Sequence, residues 1–122
     1  MEWYTVGLEC GKNVAEKVDE FLRNVDWKTD FRKEGSDGFV VYRWHMKWKP
    51  SWFASEQDFI NVLSQFDDLD FGDMSDDEWF DNAYKLLAVG DEGSEDSYGN
   101  ESGFEVCEIF IVHDILFPDY YN

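Results

Sequence analysis

The chain is poor in residues that staple or break a fold. It holds two cysteines and two prolines in 122 residues. No Cys-x-x-Cys pair and no Cys/His cluster occurs, which argues against a zinc site. Cys10 and Cys107 each lie in an apolar, strand-like run. Both read as reduced core residues, since an unoxidised cysteine behaves as a small hydrophobe. A bridge between them needs neighbouring strands, which the sequence does not reveal. No apolar stretch approaches the ~20 residues of a membrane-spanning helix. The start of the chain shows no basic region followed by an apolar run, so no signal peptide is visible and the cytoplasm is the expected compartment.

Catalytic motifs are missing as well. There is no GxSxG elbow, no P-loop and no GxGxxG fingerprint. The two histidines, His45 and His113, have no evident nucleophile beside them. Paired carboxylates can do acid/base work, but among 28 acidic residues some pair always looks suitable. No catalysis and no cofactor are expected.

Positive charge is scarce too, and its scarcity is local. Residues 1–49 carry nine acidic and nine basic side chains, whereas residues 50–122 carry nineteen acidic ones and a single cation, Lys85. The whole net charge of −18 therefore belongs to the second part of the chain. A small domain needs a net charge of only about 2 to 8 in magnitude for solubility, and the excess destabilises a compact state by self-repulsion. A halophilic protein would spread its acidity over the whole chain. Here it falls in two blocks. The first is Asp67, Asp68, Asp70, Asp73, Asp76, Asp77, Glu78 and Asp81; the second is Asp91, Glu92, Glu95, Asp96 and Glu101.

What is present argues for a fold. The chain has 6 Trp, 6 Tyr and 11 Phe, and 43% of its residues are hydrophobic, whereas disordered chains lack aromatics. Its length fits one domain that folds without staples. Tyr4, Val6, Leu8 and Cys10 alternate over residues 2–10, which predicts a half-buried strand. Asn13 with Glu16 resembles a capping box. After it, Val14, Val18, Phe21, Leu22 and Val25 have helical spacing. Trp27 to Lys33 reads as a second strand, and Gly35, Ser36, Asp37 and Gly38 as a turn. Phe39 to Lys49 reads as a long third strand. Its even positions Val40, Tyr42, Trp44, Met46 and Trp48 face a core, and Arg43, His45, Lys47 and Lys49 form a basic ladder opposite.

Pro50 ends that strand. Ser55 with Asp58 predicts a second helix carrying Phe59, Val62, Leu63 and Phe66. Ser75 with Glu78 predicts a short helix inside the first acidic block. Tyr84 to Val89 reads as a strand, Gly90 to Gly103 as an acidic loop, and Phe104 to Val112 as a strand buried on both faces. The order β-α-β-β-α-(α)-β-β predicts an α+β fold: a mostly antiparallel sheet of about five strands with two main helices on one face. Its first six elements match a split βαβ, ferredoxin-like order.

The first block fails as a calcium loop. With Gly72 at the sixth position of an EF-hand, Asp67 and Glu78 take acceptable places, but Leu69 and Phe71 fall where oxygen ligands are required. The basic ladder fails as a nucleic-acid surface, because Trp44 and Trp48 point to the other face and cannot stack on bases beside the cations. Its expected role is to neutralise carboxylates within the fold. The acidic blocks are expected to dock on a basic protein. B-DNA carries a phosphate charge every ~1.7 Å of axis, and a dense line of carboxylates competes for the same Lys/Arg-rich groove. Apolar anchors are needed too. Phe71, Met74, Trp79, Phe80 and Tyr98 lie in or beside the blocks, and the loop-like settings of Phe71 and Tyr98 favour those two.

The composition is similar in a general way to nucleic-acid-mimicking inhibitors that phages and mobile elements direct at host defence nucleases, of the anti-CRISPR or anti-restriction kind. It is similar in the same way to immunity proteins that neutralise toxin nucleases. The expected partner is a basic nucleic-acid-binding protein or nuclease, with no nucleic acid and no membrane bound directly. A small-ligand binder or enzyme is the remaining class.

Overall fold

The computed structural model describes residues 3–35, 38–49 and 54–100, without the side chains of Ala54 and Phe71. The expected strand Phe104–Val112, the tail, His113, Glu101 and Cys107 lie outside the described residues.

Five strands form one antiparallel sheet: β1 Tyr4–Cys10, β2 Thr29–Glu34, β3 Val40–Met46, β4 Tyr84–Gly90 and β5 Glu95–Gly99. The helices are α1 Lys12–Leu22, α2 Ala54–Ser64 and α3 Asp76–Asp81, with a 3-10 turn at Phe71–Asp73. The strand order is β2-β3-β1-β4-β5. β1 lies between β3 and β4, as two interleaved split βαβ units require, and β5 is added beside β4. The α+β class expected from the sequence is the one found.

The register explains the core. Val6 is paired with Trp44 and Ala88, Leu8 with Tyr42 and Leu86, and Cys10 with Val40 and Tyr84. Side chains alternate along a strand, so these nine share a face, and all nine are buried. Val14, Ala15 and Val18 of α1 and Phe59 and Leu63 of α2 complete the same cluster. An aromatic group fills one end. The Trp27 ring lies 5.4 Å from Phe21, 5.9 Å from Trp44 and 5.1 Å from Phe59, each edge to face, the arrangement that ring quadrupoles favour. Trp48 lies beyond the end of β3, yet it is 1% exposed and packs against Trp27.

On the reverse face the ladder positions behave differently. Arg43 lies over the Phe31 ring and Lys47 over Trp3, while His45 stacks on Trp3 at 5.2 Å. Glu9 and Lys85, opposite each other in the register, are both buried. Oppositely charged partners across a strand pair are favourable.

Several local expectations need correction. Asn13 does not cap α1: the N-cap is Gly11, with no side-chain cap, and Asn13 instead donates to Asn82 Oδ1 at 3.2 Å. Ser55 lies inside α2, not ahead of it, and donates to Glu56 at 2.9 Å. The third strand ends at Met46, earlier than expected. The acidic loop expected from Gly90 to Gly103 contains β5. Gly93 has φ +97°, and Gly90 N–H donates to Ser94 O at 2.7 Å, closing a tight hairpin. Main-chain pairing with β4 and the packing of Tyr98 on the core override the poor strand propensity of Asp, Ser and Gly. No helix among the described residues is long and apolar enough to cross a membrane.

Candidate interaction surface

The first acidic block runs from the turn after α2 through the 3-10 turn to the end of α3. Local chemistry sets its shape. Ser75 is the N-cap of α3, as its sequence predicts, and its hydroxyl accepts from Glu78 N–H at 3.4 Å. Asp76, Asp77 and Glu78 occupy the first turn, where the helix dipole favours negative charge.

Both ends of the segment are fixed by one residue that the sequence does not single out. Asn100 is 4% exposed. Its Nδ2 donates to Phe66 O at 3.3 Å and to Asn82 O at 2.7 Å, and its Oδ1 accepts from Tyr84 N–H at 3.3 Å. The segment between Phe66 and Asn82 is thus pinned to the start of β4. The Tyr84 hydroxyl adds a hydrogen bond to Asp67. Burial, and then that carboxylate, push the Tyr84 phenol well above its ordinary value. At the other end Lys12 Nζ reaches Asp81 at 3.3 Å, and Gly11 N–H donates to Ala83 O at 2.9 Å.

Two carboxylates of the block therefore work within the fold, Asp67 and Asp81. Asp68, Asp70, Asp73, Asp76, Asp77 and Glu78 are exposed and pair with no cation among the described residues; Glu78 Oε1 accepts from the Ser75 hydroxyl at 3.5 Å. The second block lies elsewhere. Asp91 and Glu92 are at the β4–β5 tip, and Glu95 and Asp96 follow on β5, paired with Val89 and Ala88. Six strand steps separate the start of β4 from the tip, roughly 20 Å at ~3.3 Å per residue. Among the described residues, Asp91, Glu92, Glu95 and Asp96 thus lie toward the end of β4 remote from the first block, and Glu101 lies outside the described residues.

The apolar anchors rank differently from the expectation. Tyr98 is paired with Leu86 and packs on the core, half-buried; burial, with Asp96 nearby, raises its phenol. The Phe71 side chain lies outside the described residues. Met74 and Trp79 are half-buried. Phe80 is 40% exposed and sets one edge against Phe39, ring centres 5.5 Å apart. Phe80 is thus the exposed aromatic of the block among the described side chains. Among the described residues no three of His, Cys, Asp and Glu converge closely enough to hold a metal ion. Cys10 is buried, with Sγ 3.8 Å from Val40 O; its pairing with Cys107 lies outside the described residues.

With this geometry in hand, no protein-family model, curated protein or solved structure matches the chain.

Proposed function

We propose that this protein is an inhibitor that docks through its first acidic block on the basic nucleic-acid-binding surface of another protein. The observation that carries this reading is the set of six exposed carboxylates, Asp68, Asp70, Asp73, Asp76, Asp77 and Glu78, without a cation among the described residues, on a segment pinned at both ends. Pre-ordering lowers the entropic cost of association. Converging negative charge steers a basic partner and competes for the site that a phosphate backbone would fill. Phe80 supplies the aromatic anchor at the rim. A phage or mobile-element anti-defence protein, of the anti-CRISPR or anti-restriction kind, is the setting that fits these properties.

The test is capture of the partner from host lysate followed by competition with duplex DNA. DNA should displace the partner, and the combined Asp76→Lys, Asp77→Lys and Glu78→Lys variant should capture none while remaining folded. A complex indifferent to DNA, or a triple variant that binds like the parent, overturns the reading.

A further inference from the structure

A groove of about 450 Å³ runs between the first half of α1 and the β2–β3 hairpin. Its volume falls in the range of small-ligand sites, ~300–1,000 Å³. Ala15 and Val40, both buried, provide apolar lining. Asp81, the last residue of α3, also lines it, so the groove is continuous with the acidic segment.

The polar groups of the groove are unevenly matched. Arg32 Nε and Nη2 donate to the two Asp19 oxygens at 3.2 and 2.8 Å, and Nη1 donates to Glu34 Oε1 at 3.2 Å. Lys12 is taken by Asp81. Each cation of the groove is thus engaged by a carboxylate of the groove. Glu16 is exposed and pairs with no described cation, and Glu34 keeps its second oxygen. The spare hydrogen-bonding capacity lies on the acceptor side, and a ligand that uses it must donate.

We infer that this groove receives an arginine side chain of the basic partner, its guanidinium between Glu16 and Glu34 and its methylenes over Ala15 and Val40. Arginine suits the site better than lysine because a planar fork of donors spans two carboxylates while its stem covers apolar surface. The groove already holds one guanidinium, that of Arg32, between the carboxylates of Asp19 and Glu34. The inference deepens the docking reading and rests on it for the identity of the partner.

The probe is a hexa-arginine peptide titrated against the full chain, with hexalysine for comparison, at about 150 mM salt, where the screening length is ~8 Å. Two double variants remove the same charge: Glu16→Gln with Glu34→Gln in the groove, and Asp26→Asn with Asp58→Asn outside it. The groove variant should bind hexa-arginine about tenfold more weakly and the control within about twofold of the parent. Hexalysine should distinguish the two variants less. Amide shifts on adding hexa-arginine should centre on Ala15, Glu16, Glu34 and Val40. Equal losses in the two variants, or shifts confined to residues 67–81, overturn the groove assignment. Capture of the lysate partner decides the docking reading separately: loss with Asp76→Asn and Asp77→Asn supports docking whatever the peptide shows.

Discussion

The side-chain amide of Asn100 donates to the backbone carbonyl of Asn82 at 2.7 Å, and the same nitrogen reaches Phe66 O at 3.3 Å. One buried amide thereby closes the acidic segment into a loop of fixed span. Replacing Asn100 by Ala leaves two carbonyls and the Tyr84 N–H without this partner. A buried polar group stripped of its partner costs about 1–3 kcal/mol, so Asn100→Ala should lower stability by about 2 kcal/mol or more in urea unfolding. Hydrogen exchange should quicken in residues 67–82 before the rest of the sheet. A unchanged urea midpoint would show that water replaces the amide at no cost.

Gly11 meets the same segment from the other side. A Cβ there would overlap the Phe80 carbonyl oxygen and come within 2.6 Å of the Asp81 carbonyl. The obstructing atoms are backbone, so no side-chain rotation relieves them. Overpacking of this kind costs about 1–3 kcal/mol, and Gly11→Ala should fall at the upper end, with α3 displaced. Amide shifts should change most at Phe80–Ala83. A Gly11→Ala variant as stable as the parent would mean that α3 is loosely held.

Stability should fall in alkali. Burial, then the hydrogen bond to Asp19, raises the Tyr42 phenol, and burial, then Asp67, raises Tyr84. A folded-state pKa above the unfolded value of about 10 means that the native chain keeps a proton the unfolded chain loses. The stabilisation is complete below about pH 10 and is lost as pH rises above it. Melting temperatures should therefore hold from about pH 8 to 10 and decline above about pH 10, and Tyr84→Phe should flatten the decline while costing about 1 kcal/mol at neutral pH. An identical alkaline slope in Tyr84→Phe would remove Tyr84 from the account.

Much of this fold is legible from periodicity alone. Strand β1 and the even face of β3 follow from strict alternation, and the buried faces of α1 and α2 from helical spacing. The α3 cap follows from Ser75 and Glu78, because a capping box is a local interaction. What stays hidden depends on distant partners. Position 11 must be glycine because the backbone at Phe80 and Asp81 leaves no room for a Cβ, a contact across about seventy residues of chain. Asn100 acts across 18 and 34 residues of chain, and no local pattern marks it. β5 reads as a loop because Glu, Asp, Ser and Gly are poor strand formers, and pairing with β4 outweighs that preference. The acidic blocks were visible as charge, but their separation required the β4–β5 hairpin.

That separation has a measurable consequence. The screening length at physiological salt is ~8 Å, well short of the roughly 20 Å between the ends of β4, so the two blocks should act independently. Asp76→Asn with Asp77→Asn and Asp91→Asn with Glu95→Gln each remove two negative charges. If docking is local to the α3 segment, the first pair should weaken capture of the basic partner about tenfold and the second by less than about twofold. Raising salt from about 50 to 200 mM should weaken the parent complex steeply and the first variant less, since fewer opposed charges remain to be screened. Equal losses from the two pairs would mean that association follows total charge rather than position, and the ordered segment between Phe66 and Asn82 would then have no special part in it.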